Sequence, residues 1–540
     1  MAECDVRTLE STNEKEMRYQ ATFQQALSER HQKLQKKKEK HLMESLTMDT
    51  LPDDELMQVF SYLPVVALLG CRAVCRRWRK LALHPHLWRR LSTRDATQLH
   101  WAALRLAPCV RRLTIGSYVN MTSSCRANLV HSALLAADTQ CAAAELALEI
   151  LDTPMLVVCT LAVRRQAALG RLRQVKIYLQ LRGTRDSGCI PALLQEVQAV
   201  KGLVKLELDG VLPSSIPALP KTAVLDRGAV EPCLIHFKFN FLDASVGRHQ
   251  LPFLADHLAT LEKIETRSHH PELAALVSNA LRLRKLACPL LDNMMALKVC
   301  PSLTSLHLHC FKDDSPQGAS RRAAVSAYLR VATSTKLTRL KLQFYAYGDA
   351  PEHAALLQSV AGESATPRPS TLRCLALDFC SNDEDRLCAK DFPPLELRPL
   401  AAVLDRLTSL RHLSLVAAPA DAFLDAISPE ALPELVKLKV YSLEDCSHEW
   451  FHSSAVTGVL KRNPRLHLVI EMCGCSELLR ELFPETEDCT FCAEDCRPRC
   501  PDHFWKVGGK AVFFSHLETE KCGLMEIHKP VSTGLQWMKV

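Results

Sequence analysis

Glycine is scarce in this chain, at 18 of 540 residues, and the phosphate-cradling spacings that need it are missing. Gly508-Gly509-Lys510 does not make a phosphate loop, and neither G-x-G-x-x-G nor G-x-S-x-G occurs. No apolar run reaches about eighteen residues, so no membrane-spanning helix is predicted. The N-terminus is polar from Glu3 onward and lacks the apolar core of a secretory signal. Aromatic residues, 6% of the chain, are too thin to interleave with cations as base-stacking platforms, so no nucleic-acid partner is expected. What remains is ordinary globular composition: 47% hydrophobic, 24% charged, net charge +7. That length suggests roughly two to four units, and the features together point to the cytoplasm, the nucleus or both. In a reducing compartment Cys71, Cys75, Cys159, Cys300 and Cys380, all among apolar residues, are expected to act as small buried hydrophobes.

Against that background one stretch stands out. Residues 51–91 carry three helix signals. Pro52 sits near a first-turn position, where its missing N–H costs little, and Asp53 and Asp54 favour the positive end of a helix. Leu56, Val59, Phe60 and Leu63 recur at three- and four-residue spacing, and Pro64 stops the run. A second apolar set follows at Leu68, Cys71, Val74, Cys75 and Trp78, and a third at Leu81, Leu87 and Trp88. Forty residues cannot bury two tryptophans and so many leucines alone, so a partner is needed for some face.

The order Leu51-Pro52, Leu56-x-x-Val59-Phe60, Tyr62-Leu63-Pro64, Val74-Cys75-Arg76-Arg77-Trp78 and Leu87-Trp88 resembles an F-box. Ala67 stands where the family often has an acidic residue. The resemblance implies docking on the small adaptor of an SCF-type cullin–RING ubiquitin ligase, and through it on the cullin, with presentation of a protein substrate. It also implies that Leu51, Pro52, Leu56, Val59, Phe60, Leu63, Leu68, Val74, Cys75, Trp78, Leu87 and Trp88 carry the docking module.

After this module the chain repeats itself. Leu-x-x-Leu-x-Leu occurs from Leu203, Leu303, Leu337, Leu372 and Leu410, with Val440 closing the copy from Leu435. Weaker copies start at Val110, Leu172, Leu261 and Leu283. The frame is the strand signature of a leucine-rich repeat, with helical segments such as 323–332 and 400–407 between copies. The fold class is therefore α/β: an N-terminal helical F-box, then an irregular leucine-rich-repeat solenoid of parallel strands and convex helices. An F-box followed by such repeats resembles the leucine-rich-repeat subclass of F-box proteins. The Asn or Cys that often follows the repeat strand is mostly absent, with Cys310 and Cys380 as candidates. The domains divide as 1–48, a basic, partly helical segment with Lys36-Lys37-Lys38-Glu39-Lys40; 49–95, the F-box; 96–470, the solenoid; and 471–540, a Cys-rich segment or cap.

Residues flanking the second leucine of each copy point toward a ligand. Lys205, His307, His309, Arg339, Lys341, Lys437 and Lys439 make that set rich in cations and poor in carboxylates, which suits an acidic or phosphorylated partner segment. No cofactor is required. Cys489-x2-Cys492-x3-Cys496-x3-Cys500-x2-His503 has short spacings that suit a structural zinc, although Pro498 and Pro501 equally suit irregular chain. His448-Glu449-x-x-His452 fits a zinc-hydrolase helix but lacks a clear third ligand, and its place after a repeat strand makes Trp450 and Phe451 packing residues. The non-catalytic reading is the stronger one; an interaction scaffold outside a ligase, or a zinc hydrolase, is the competing class.

Overall fold

The computed structural model describes chiefly residues 27–37, 51–94, 104–115, 137–181, 189–211, 231–241, 250–311, 315–345, 351–362, 370–379, 397–416, 418–442, 453–472, 510–514 and 535–539. The chain divides into two compact units, Met1–Thr93 with Thr97–Arg111, and Arg94–Ala96 with Arg112–Val540. Residues 27–37 are helical and expose Leu27 and Leu34, as expected of a polar sequence with a thin apolar stripe.

Residues 51–94 of the first unit contain four short helices, α1 (Asp53–Ser61), α2 (Val65–Cys71), α3 (Arg76–Ala82) and α4 (Pro85–Trp88). Pro52 is the residue that caps α1, one place before its expected position, and Asp53, Asp54 and Glu55 fill the first turn against the helix dipole. Pro64 and His84 begin the turns into α2 and α4 in extended conformation. Cys75 corrects the expectation of a buried thiol. It is exposed, and its Sγ accepts the Trp78 N–H at 3.4 Å, because the first N–H groups of α3 need an acceptor. Cys71, Cys159 and Cys300 are buried as expected, Cys310 is buried too, and Cys380 lies outside the described residues.

The second unit is a sheet built one repeat at a time. β1 (Cys109–Ile115) enters it at Arg112. The strands that follow are β2 (Ala142–Ile150), β3 (Gln174–Gln180), β4 (Lys205–Val211), β5 (His236–Phe241), β6 (Lys263–Thr266), β7 (Lys285–Pro289) and β8 (Ser305–Cys310). After them come β9 (Arg339–Phe344), β10 (Cys374–Asp378), β11 (His412–Val416), β12 (Lys437–Ser442) and β13 (His467–Met472). From β2 to β13 every strand pairs in parallel with the next. β14 (Lys510–Phe514) then pairs antiparallel with β13, and β15 (Leu535–Lys539) pairs parallel with β14.

Register explains why the repeat frame folds this way. Leu146, Val175, Leu206, Phe237, Ile264 and Leu286 align across β2 to β7, and Leu306, Leu340, Leu375, Leu413, Leu438 and Leu468 continue the row to β13. All are buried. One apolar side chain per strand, each worth about 1.5–3 kcal/mol when buried, stacks on the same position of its neighbours, so no repeat closes its core alone. Helices such as Thr153–Ala168, Ile190–Gln198 and Pro316–Thr335 supply the other wall through Leu156, Leu194 and Leu329, while the expected helix at 400–407 is a short turn, Arg398–Ala401, and a 3-10 turn, Leu404–Arg406. Val403 leaves helical geometry between them, and Leu400, Leu404 and Leu407 still reach the core.

Gly210 marks a close approach between two strands. Its φ is 127°, and a Cβ there would overlap the carbonyl of Leu179, its register partner on β3. Gly210→Ala is therefore expected to destabilise the sheet by about 1–3 kcal/mol, read as a lower thermal midpoint; an unchanged midpoint would refute the close approach.

Candidate functional site

In the first unit burial sorts the residues named from sequence into two groups. Leu56, Phe60, Leu68, Leu87 and Trp88 are buried and hold the helices together. Phe60 meets Trp78 edge-on at 5.2 Å between ring centroids, and the Trp88 indole N–H donates to the Ala82 carbonyl at 2.7 Å. Val59, expected on the same apolar face as Leu56 and Phe60, is instead exposed, because the side toward the other helices takes only Leu56 and Phe60. Pro52, Val74 and Cys75 are also exposed, while Leu51, Leu63 and Trp78 are half-buried. Tyr62, 80% exposed, and Val66, 57% exposed, are exposed as well; from sequence Tyr62 stands out only within the Tyr62-Leu63-Pro64 signature, and Val66 does not stand out. Arg77 ties the start of α1 to α3 through Asp53 at 2.7 Å and the Leu51 carbonyl. The arrangement presents apolar side chains on a small, internally braced helical unit.

In the second unit the outward rows of the sheet carry charge, and here the structure corrects the expected poverty of carboxylates. Lys205 and Lys176 both pair with Glu207, at 2.6 and 3.6 Å, and Lys238 pairs with Asp209 at 2.7 Å. Lys263 pairs with Glu265, and Arg112 with Glu145 at 2.7 Å. Burial works against ionisation of Glu207, but the Lys205 hydrogen bond and the charges of Lys205 and Lys176 hold its carboxyl below the usual range. β1 to β4 line a groove of ≈ 410 Å³, in which Arg112 pairs with Glu145 and Lys176 and Lys205 pair with Glu207. Lys205–Glu207 and Lys263–Glu265 are pairs two residues apart on one strand, whereas Lys176–Glu207, Lys238–Asp209 and Arg112–Glu145 join neighbouring strands, which spacing along one strand does not reveal.

Farther along, Lys341 pairs with the buried Asp378 at 3.1 Å, and Lys439 lies 4.0 Å from the centre of the Tyr441 ring. His307 and His309, expected as ligand-facing cations, are held neutral. Their rings lie 4.3 Å apart; Nε2 of His307 is 3.1 Å from the Gln343 amide oxygen, and Tyr345 Oη is 3.3 Å from His309 Nδ1. Burial, then the neighbouring cations, push His307 down to about 4 and His309 down to about 2. Arg339, in contrast, is exposed, and Lys437 stands beside His412 in register on the neighbouring strand.

The nominated zinc residues Cys489, Cys492, Cys496, Cys500 and His503, and His448, Glu449 and His452, lie outside the described residues. Trp450 is described, and its indole N–H donates to the Pro419 carbonyl at 3.2 Å. Among the described residues no group of three or more His, Cys, Asp and Glu is placed to hold a metal, and no helix is long and apolar enough to cross a membrane.

Comparison with known proteins meets this geometry at the first unit. Residues 48–94 match the F-box-like family model. The human F-box/LRR-repeat protein 12 is 35% identical over 78 residues, covering 14% of this chain and 24% of that protein, so the match spans about a quarter of the relative's length. The chain thus carries an F-box-like domain at 48–94 ahead of a parallel repeat sheet, the arrangement of the leucine-rich-repeat subclass of F-box proteins.

Proposed function

We propose that this chain is the substrate-recognition subunit of an SCF-type cullin–RING ubiquitin ligase. The observation that carries the reading is the F-box-like unit itself, which buries Leu56, Phe60, Leu68 and Trp88 inside and leaves Pro52, Val59, Tyr62, Val66 and Val74 exposed. An apolar surface on so small a unit fits a partner interface, with aromatic Tyr62 as its anchor. The adaptor covers that surface and connects the chain to the cullin, while the repeat sheet holds a protein target. No catalytic group of this chain is needed: holding the target beside a ubiquitin-charged enzyme raises effective concentration, which is where the acceleration comes from. The reading places the chain in the cytoplasm, the nucleus or both.

Co-precipitation from cell lysate tests it, blotting for adaptor and cullin. Wild-type protein is expected to bring down both. Leu51→Ala with Pro52→Ala, and separately Val59→Asp with Tyr62→Ala, are expected to lose both by about tenfold or more, with the circular dichroism spectrum unchanged. Folded wild-type protein that captures neither would sink the ligase reading.

A further inference from the structure

A thiol and an imidazole meet across two neighbouring strands on the outward side of the sheet. Cys374 on β10 and His412 on β11 are register partners, and Cys374 Sγ lies 3.6 Å from His412 Nδ1. Cys374 is half-buried and His412 is exposed. The contact is a hydrogen bond in which an uncharged imidazole accepts the S–H. His412 meets that requirement. Burial, then Lys437, Arg411 and Arg339, lowers its pKa from the ordinary value, so the ring is neutral at pH 7. Cys233, also half-buried, gives the contrast: burial pushes its thiol up, and its bonds run to the backbone of Gly202 and Leu203.

The surroundings select what such a pair can do. Arg339 aligns with Cys374 from β9, Lys437 aligns with His412 from β12, and Arg373 and Arg411 directly precede the two residues. The carboxylates nearby, Asp378 and Glu434, are each held at 3.1 Å, by Lys341 and Arg411. These cations oppose a bound metal ion, and they favour the negative charge that gathers on sulfur during nucleophilic attack. Acyl transfer, another chemistry open to a cysteine–histidine pair, needs free donors for an oxyanion. Here the N–H groups of Arg373 and Cys374 both bond the Thr338 carbonyl, at 2.8 and 3.0 Å. The N–H of His412 bonds the Arg373 carbonyl at 2.9 Å, so none of the three is available. Attack on a disulfide needs no such donors. Ala376 and Ser414, two places on along the same strands and in register, are small and leave room above the sheet for an attached group.

We propose that Cys374 is a site of reversible S-thiolation by an anionic low-molecular-weight disulfide of the glutathione type, with His412 as the group that takes the thiol proton. The proton passes to His412 Nδ1, and the electron pair left on Cys374 attacks one sulfur of the disulfide. A new S–S bond joins Cys374 to one glutathione, the original S–S bond breaks, and the departing thiolate takes up the proton. The disulfide is the oxidant, and an excess of free thiol reverses the step. The attached tripeptide places bulk and net negative charge on the outward face, to an extent set by the redox state of the compartment.

The test exposes the reduced full-length chain to glutathione disulfide, or to cystamine as a cationic disulfide, and follows each thiolated position in time by peptide mass spectrometry. With glutathione disulfide, Cys374 is expected to react about tenfold or more faster than Cys233. It is expected to react faster with glutathione disulfide than with cystamine, a preference that added salt reduces. His412→Ala is expected to slow Cys374 by about tenfold or more, while the rate at Cys75, in the other unit, stays the same. Arg339→Gln is expected to weaken the preference for the anionic disulfide. His412 and Arg339 are both exposed, so the sheet is expected to survive either change, with the circular dichroism spectrum as the check. A Cys374 no faster than Cys233, a rate unmoved by His412→Ala, or equal rates with the two disulfides would overturn the proposal. It stands apart from the receptor reading. Adaptor captured by a chain whose Cys374 is inert removes only the thiolation site, and thiolation of Cys374 in a chain that captures no adaptor removes only the ligase role.

Discussion

Trp88→Ala is expected to cost the F-box-like unit about 3–5 kcal/mol, enough to unfold it, and so to abolish adaptor capture without touching the exposed surface. Trp88 is fully buried and is the largest side chain in that core. Its removal leaves a cavity in a core that four short helices cannot collapse to fill. It also strips the Ala82 carbonyl of its indole donor, 2.7 Å away, at the end of α3. A small helical unit has a total stability of order 5–15 kcal/mol or less, so this one loss consumes much of it. Amide hydrogen exchange over residues 51–91 is the direct measurement: protection should collapse there while the amides of β2 to β13 stay protected. Trp88→Phe, which keeps most of the volume, should fall between the two. Equal protection in wild type and Trp88→Ala would show that the indole is not the keystone its burial indicates.

The contrast with Val59→Asp is what the sequence alone could not supply. Spacing put Leu56, Val59 and Phe60 on one helix face because three- and four-residue recurrence defines a face about 100° wide. It does not say how much of that width the neighbouring helices cover. α1 is covered over Leu56 and Phe60, and the stripe's margin at Val59 is left exposed. Tyr62 stands out only within the Tyr62-Leu63-Pro64 signature and Val66 not at all, because Pro64 interrupts the apolar spacing between the end of α1 and the start of α2, where Val66 lies.

The strands were legible where leucine fills every inward place, since period-two alternation within Leu-x-x-Leu-x-Leu leaves no other element. β5 passed unseen because Phe237 and Phe239 occupy the leucine places of an otherwise identical frame from Leu234. β2 uses the small Ala143 at the first inward place, and β13 has Leu466 one residue nearer to Leu468 than the frame requires. Charge pairing across repeats was not legible at all. Glu207 neutralises Lys176 from the next strand, a partnership fixed by register and not by sequence distance. The alternation did place His309 correctly on the outward row, yet Phe311 and Tyr345 stack beside it at 4.4 Å from one another and help make it a buried, neutral ring.

That neutrality carries the second large effect, a loss of stability in mild acid. His309 is 5% exposed and His307 is half-buried beside it. The groups around them are Lys341, Arg267, Asp378 and Glu265, with Gln343 as the shared hydrogen-bond partner. Burial is the main cause of their low proton affinity; Lys341 and Arg267 add to it, and the Gln343 bond and the carboxylates only partly oppose it. In the unfolded chain both imidazoles titrate near the ordinary value of about 6.5. Between that pH and about 4, the value to which His307 is pushed, the unfolded chain therefore binds protons that the native sheet refuses. Stability contributed by the neutral rings is complete above about pH 6.5 and declines as the pH falls, by up to about 1.4 kcal/mol per pH unit for each histidine. His309, pushed down to about 2, continues the decline below pH 4. Urea midpoints measured at intervals from pH 7 to pH 4 should drop steeply for wild type. His307→Gln with His309→Gln removes both titrations, so whatever its absolute stability, its curve should be flatter across that window. The residual slope belongs to carboxylates and to other depressed histidines such as His236, held to about 4 by burial and Lys263. Parallel curves for the two proteins would mean that the paired rings accept protons in the native sheet and are solvated, contrary to their packing.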